Sequence, residues 1–584
     1  MSNNKLIIAN FSGFFGDRFS AAKEMVEGGP IDFLTGDYLA ELTMAILLKQ
    51  KMKDPGKGYA HTFLKQMEQV MGLCLEKKIR VISNAGGLNP KGLAAALEQT
   101  AQTLGLHPKV AYIEGDDLMP RLGELQEQGE TFTHLDKGTA LKDAAGMPIT
   151  ANAYLGGWGV VKALESGADI IVGGRMADAA VVMGPAAWHF GWQTDDWDKL
   201  AGAAVAGHII ECSGQACGGN YSFIHEIPSY HNVGFPIAEM NEDGSFVITK
   251  HPGTGGLVSV GTVTAQLMYE IREPRYLTPD VVTRFDTIQI SQEGPDRVLI
   301  EGVRGEPAPR TTKVCINNMS GHSNSMTLLL AGLDIEKQAK IIEETLFQSI
   351  GGKDAYQVID VQLIRSDKVN PSSNEEAYAY LRLSVMDPDA KKVAMFSTKF
   401  VELGLCTVPG LALTAPPDKG RPVIQHWPTL VSVDKVPQTV VMGDETFDIP
   451  SPPESDIPSP PPAAVDIPPV PAGPTTSVPL GRIYATRSGD KGGNANLGIW
   501  GQTPASYAWL NDFLTVDKLK ELLPDMAVFE IERYELPNLF ALNFYVRGVL
   551  QDGVSASFRM DPQAKTLGEY LRTKMVEMPS SLLA

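Results

Sequence analysis

Cysteine is scarce in this chain. Its five cysteines, Cys74, Cys212, Cys217, Cys315 and Cys406, are scattered over 584 residues. An odd number without recurrent spacing excludes a disulfide framework and fits a reducing compartment. Positive charge is also in deficit: 50 Lys and Arg face 69 Asp and Glu, a net charge of −19. Tracking nucleic-acid phosphates or docking on an anionic membrane needs the opposite balance, so neither partner is expected. A small anionic ligand is compatible, because one local cation can hold it inside an acidic protein. No apolar run reaches the ~18 residues of a membrane span. The N-terminus has no basic segment ahead of a long apolar one, so a secretory leader is not expected and the reading is cytoplasmic. Also missing are a Walker loop, a dinucleotide-binding glycine fingerprint and the G-x-S-x-G elbow of serine hydrolases.

Proline and glycine are plentiful, at 40 and 57 residues, and the prolines mark a boundary. Residues 448–474 read as an imperfect threefold DIPSPP-type repeat, and eleven of the 25 residues from 450 to 474 are proline. Proline fixes φ and removes the backbone donor, so this segment is expected to be an extended, solvated polyproline spacer. It divides the chain into a large region, 1–443, a linker, 444–476, and a C-terminal domain, 477–584.

Within the large region, residues 1–221 alternate short apolar runs with helical patterns. Runs at 5–10, 31–35, 80–84, 109–114, 149–154 and 169–173 read as strands buried on both faces. Helices are expected at 90–104 and 159–166. Strand followed by helix, repeated, predicts an α/β fold with a mostly parallel, doubly wound sheet. Residues 222–443 read as an α+β subdomain. Its strands are expected at 244–250, 257–263, 281–291, 297–302, 356–364 and 377–385, and its helices at 332–347 and 390–403. The C-terminal domain also reads as α+β. Strands are expected at 482–487, 495–500, 527–532 and 538–546, with helices at 507–513, 516–522 and 567–576.

Ligands of open α/β sheets bind outside the carboxyl ends of the strands. At those ends the sequence places Asp17 and Arg18, then Asn84, Gly86, Gly87 and Asn89 ahead of a helix, then Arg175 with Asp178 a turn later. Two glycines followed by Asn89 and Pro90 predict a capped helix N-terminus able to face an anion. Glu211 follows His208 at i+3. His208, Cys212, Cys217 and His225 are suitable zinc ligand types, but their spacing matches no closed site, and no metal site is assigned. His251 opens the loop HPGTGG with Gly255 and Gly256, and a loop histidine is a candidate general base. After the linker, RSGDKGGNAN holds Arg487, Ser488, Gly489, Asp490, Lys491 and Asn494 between two strands. Arg and Lys there supply donors for a carboxylate or phosphate.

Taken together, SGFFGDR, DYLAE, SNAGGLNP, GGRMADAA, GHIIECSGQACGG, HPGTGG and RSGDKGGNANLG resemble the acyclic terpene utilisation protein AtuA family over most of the chain. The resemblance implies an N-terminal AtuA domain and a C-terminal, ferredoxin-like AtuA-like domain. It also implies lyase-like cleavage of a 3-hydroxy-3-isohexenylglutaryl-CoA type substrate, in which CoA is part of the substrate. The resemblance carries over no catalytic residues, so the site residues above are inferred from the motifs.

The expected activity is a carbon–carbon lyase acting on a branched 3-hydroxyacyl-CoA or related carboxylate. Asp17, Glu211 or His251 would be the base, and Arg18 and Arg175 would stabilise the anion. Asp17, Asp37 and Asp178 are of the right type for Mg²⁺, although nothing in the sequence demands it. The alternatives are a hydratase or other acyl-CoA-modifying enzyme, and a non-catalytic ligand-binding or assembly subunit in a homo-oligomer. If the protein is an enzyme, the charged hairpin should face the strand ends of the large region.

Overall fold

The N-terminal strand–helix alternation builds the centre of an eleven-stranded mixed sheet. Its five middle strands are parallel and lie in the order Leu6–Ser12, Phe33–Gly36, Arg80–Ser83, Ile170–Gly173, Val110–Glu114. Successive residues serve opposite faces. Ile8 and Ile82 enter one core with Val160, Val182 and Leu200. Ala9 and Val81 enter the other with Phe63, Val70 and Leu97. Helices cover both faces, which is why these strands read as unbroken apolar runs. This is the structure of a computed structural model, and it describes residues 5–455 and 457–583.

Antiparallel strands extend the sheet on both sides. Pro236–Met240, Phe246–Lys250, Arg297–Glu301 and Gln289–Gly294 continue it beyond the first strand, and Gln438–Met442 and Glu445–Ile449 beyond Val110–Glu114. The first half of the α+β subdomain therefore shares the main sheet. A second, six-stranded sheet is organised around the 20-residue strand Thr311–Leu330. That strand pairs antiparallel with Arg421–Ser432, Ala379–Asp387 and Met147–Ala153.

Three sequence expectations are corrected. The run at 149–154 is a strand, but it belongs to this second sheet, where the long strand offers it an edge. The predicted strand at 257–263 is the helix Val260–Leu267, started by a reciprocal cap between Ser259 and Thr262, whose effect outweighs the β-branched residues. The predicted helix at 567–576 stops at Arg572, and Met575–Pro579 then pairs with Thr475–Pro479.

The C-terminal domain is a four-stranded antiparallel sheet in the order Ala485–Lys491, Asn494–Trp500, Ala541–Val546, Ile531–Leu536. It is packed against helices Pro504–Phe513, Val516–Leu522 and Leu567–Arg572. It docks on the large region through buried amides. Asn496 Nδ2 donates to Met268 O at 2.7 Å, and its Oδ1 accepts from Glu270 N at 3.0 Å. Asn543 Nδ2 donates to Ile271 O at 3.1 Å and Arg272 O at 2.8 Å. Asn543→Leu would strand two buried carbonyls, each at a cost of about 1–3 kcal/mol. The expected result is separate melting of the two parts in calorimetry instead of a joint transition.

The proline-rich linker has no helix or strand among its described residues over 450–474, is exposed over most of them, and is attached to the large region at a few points. Arg284 donates to Ser459 Oγ and to Pro460 O, each at 2.5 Å, and Ala463 N donates to Asp286 O at 2.9 Å. Combining Ser459→Ala with Ala463→Pro removes two of these attachments without disturbing a polyproline path. Hydrogen exchange and proteinase K cleavage within 450–474 should accelerate several-fold while the melting temperature stays nearly constant.

Candidate active site

The helix Trp197–Ile210 is so rich in alanine and glycine that its neighbours approach closely. A Cβ on Gly207 would lie 2.6 Å from Ala179 Cα. This contact presses the end of the helix, with His208 and Glu211, against the loop that carries Asp178. His208 is 1% and Glu211 7% exposed. His208 Nε2 lies 3.0 Å from Gln266 O, which fixes the proton on Nε2 and leaves Nδ1 facing Glu211 Oε1 at 3.4 Å. His208 Nδ1 and Glu211 Oε2 have no hydrogen-bond partner, so the pair has room for a proton.

Burial first, and then the charges of Asp178 and Glu270, push the Glu211 carboxyl far up. Lys491 and Arg175 pull it the other way. Burial, followed by Lys491, lowers His208 to about 4. Both shifts favour the uncharged forms, a neutral imidazole and an un-ionised carboxyl.

Arg175 is aimed by its own loop. Its backbone N donates to Asp116 at 2.8 Å, and Asn152 holds the same carboxylate at 2.8 Å. Its guanidinium donates to Leu39 O at 2.7 Å, Tyr154 Oη at 2.9 Å and Asp178 Oδ1 at 3.1 Å, and it stacks 4.4 Å from the Tyr154 ring centre. Asn84 donates to Asp37 Oδ1 at 2.5 Å. Burial, and then Asp178, raise Asp37 well above the usual carboxylate range.

The hairpin of the C-terminal domain packs over this cluster. Gly489 lies against the Tyr269 ring, where a Cβ would come within 2.4 Å. Arg487 bonds Gln215 and stacks 4.2 Å from the Tyr269 ring centre. Lys491 acts on both Glu211 and His208, and Asp490 lies 3.9 Å from Lys565.

Arg175, Asp178, Glu211 and Lys491 thus meet at one place, with Asn84 holding Asp37 behind them. Other residues singled out in the sequence serve the scaffold. Asp17 accepts from Gly13 N and Arg18 N, closing its own loop, and Arg18 bonds Val233 O and Glu24. His251 bonds Met25 O and packs on Gly28 and Gly29, away from the carboxylates. Gly86 and Gly87 are filled by Gly173 O, Leu47 and Gly58 O, and Asn89 caps its helix through Gly92 N. Gly255 and Gly256 pack on His231 O and Cys217 O. Ser488 Oγ donates to Ala564 O and Asn494 joins Tyr545 to Gly548. Asp116, Glu270 and Tyr154 join the site without having been singled out in the sequence, since only the folded topology brings them there. Among the described residues, no group of three or more His, Cys, Asp or Glu is arranged to hold a metal ion.

A buried acid and an ion-paired arginine near the ends of parallel strands, with a hairpin of a second α+β domain packed against them, define a two-domain α/β protein. The family profile described as acyclic terpene utilisation family protein AtuA matches residues 6–442, and the AtuA ferredoxin-like domain matches 478–577. The chain belongs to the AtuA family, and membership suggests involvement in acyclic terpene utilisation. No curated protein matches the chain. Among the described residues, no helix is long and apolar enough to cross a membrane.

Proposed function

We propose that the crevice is a carbon–carbon lyase site for a branched 3-hydroxyacyl-CoA or a related carboxylate. The observation that carries this is a buried Glu211, its carboxyl pushed up by burial and by Asp178, in the electrostatic reach of the Arg175–Asp178 ion pair. Two carboxyl groups whose environments differ this much are suited to opposite acid–base roles. Asp178 takes the proton of the 3-hydroxyl. The bond between C2 and C3 breaks, its electron pair passing into the enolate of the departing two-carbon unit. A ketone forms at C3. Glu211 protonates the enolate carbon, and solvent returns the proton from Asp178 to Glu211. Arg175 and Lys491 hold the substrate carboxylate and the developing negative charge.

The test is a panel of 3-hydroxyacyl-CoA thioesters, with and without Mg²⁺, read by mass spectrometry. Loss of an acetate or acetyl-CoA unit supports the lyase. A change of one water would replace it with a hydratase. No turnover of any thioester would favour a binding or assembly role.

A further inference from the structure

The proposed lyase chemistry leaves one pair of reactive side chains unused. Cys315 Sγ lies 3.3 Å from His426 Nδ1. Cys315 is 3% and His426 8% exposed. They are brought together by register. On the long strand Thr311–Leu330, Cys315 stands opposite Pro428 and Asn317 opposite His426, so Cys315 and His426 are diagonal neighbours on one face.

That face belongs to the crevice already described. Lys313, two residues before Cys315 and so on the same side of the strand, places its Nζ 5.0 Å from the Tyr154 ring centre. The Arg175 guanidinium sits 4.4 Å from that same ring centre. Across the other neighbouring strand, Cys315 stands opposite Asn152, which holds the Asp116 carboxylate that fixes Arg175 N. Asn152 Oδ1 is buried with no partner of its own. From above, the turn of the C-terminal hairpin reaches the pair. Gly492, at φ +65°, leaves so little room that a Cβ would lie 2.7 Å from the His426 ring. The thiol and imidazole thus lie between the Arg175 side of the crevice and the turn next to Lys491.

We propose that Cys315 and His426 form a nucleophilic dyad that accepts the acyl group of a thioester. This rests on the acyl-thioester reading of the crevice. His426 takes the thiol proton as Cys315 Sγ forms a bond to the thioester carbonyl carbon. The tetrahedral adduct then expels the CoA sulfur, which leaves with the proton held by His426. The products are an S-acyl cysteine and free CoA thiol, so one thioester replaces another and no oxidant is needed. Lys313, on the same side of the strand, supplies a positive charge that favours a thiolate.

The full-length protein is treated with iodoacetamide at pH 7.5, and cysteine peptides are quantified over time. Exposed Cys406 serves as an internal reference. Normalised to Cys406, the alkylation of Cys315 should slow by about 10-fold in His426→Gln. In parallel, acid-quenched incubation with hexanoyl-CoA should leave a hydroxylamine-sensitive acyl group on Cys315. No effect of His426→Gln on Cys315 alkylation, or no acyl adduct, would each overturn the dyad. Turnover of 3-hydroxyacyl-CoA undiminished in a folded Cys315→Ser variant would overturn it while leaving the lyase reading intact. Acylation of Cys315 by a protein that cleaves none of the thioesters would support the dyad and remove the lyase.

Discussion

Glu211→Gln should lower turnover by orders of magnitude and, at the same time, raise the melting temperature at pH 8. Glu211 is buried among Asp178 and Glu270, and its carboxyl is pushed well above the usual range. A group whose folded pKa is raised supports the fold fully below its unfolded value. That support is lost as pH rises through the folded value. Wild-type protein at pH 8 therefore bears the cost of ionising a desolvated carboxyl or of keeping it protonated against the solvent. Glutamine has nearly the same shape and no such cost, and its amide can donate to His208 Nδ1, which has no hydrogen-bond partner. The melting-temperature difference, variant minus wild type, should be near zero at pH 5 and grow positive toward pH 8. Loss of a general acid should lower kcat by about 10²–10⁴-fold. A variant equally destabilised at both pH values would show that Glu211 is not a neutral buried acid. A variant that stayed active would remove it from the chemistry.

Much of this arrangement could be read in the chain, and the part that could not has a common cause. Local signals survive folding. Asn89 and Pro90 start the helix Pro90–Leu104, and the unbroken apolar runs become the doubly covered strands of the central sheet. Glycine-flanked charges such as Arg175 and Asp178 are legible because they follow a strand closely. Asp17 and His251 look equally eligible in sequence. Their side chains are instead consumed by Gly13 N and Met25 O, partners that only the folded loops reveal. Asp116, Tyr154, Glu270, Cys315 and His426 carried no local signal at all. The pairing of Cys315 with His426 depends on strands more than 100 residues apart, and the register of the strand Thr311–Leu330 with Arg421–Ser432 decides which residues share a face.

Lys491→Met is expected to lower turnover strongly while extending activity to higher pH. Lys491 belongs to the C-terminal domain, so this substitution also asks what that domain contributes to the site. Its ammonium pulls the Glu211 carboxyl down, against burial and the neighbouring carboxylates. Removing that cation raises Glu211 further, so the acid stays protonated to higher pH. The descending limb of the kcat profile should therefore move upward. His208 should change in the same direction, since the Lys491 charge adds to burial in lowering it. The loss of rate has a separate origin, the missing positive charge opposite the developing enolate, and about 10²-fold is the scale of one such group. Lys491→Arg should restore part of both effects. A merely structural role in docking would give a different pattern: lower stability, an unmoved pH limb and no rescue by arginine. Docking is held elsewhere, by Asn496, Asn543 and Ser222, so Lys491→Met should leave it intact. The same pH series run on Asn543→Leu should move the limb the other way, because loosening the domain lets water reach Glu211, and burial is the largest cause of its raised carboxyl. Opposite shifts in the two variants would separate what the C-terminal domain does to Glu211 by its charge from what it does by excluding water.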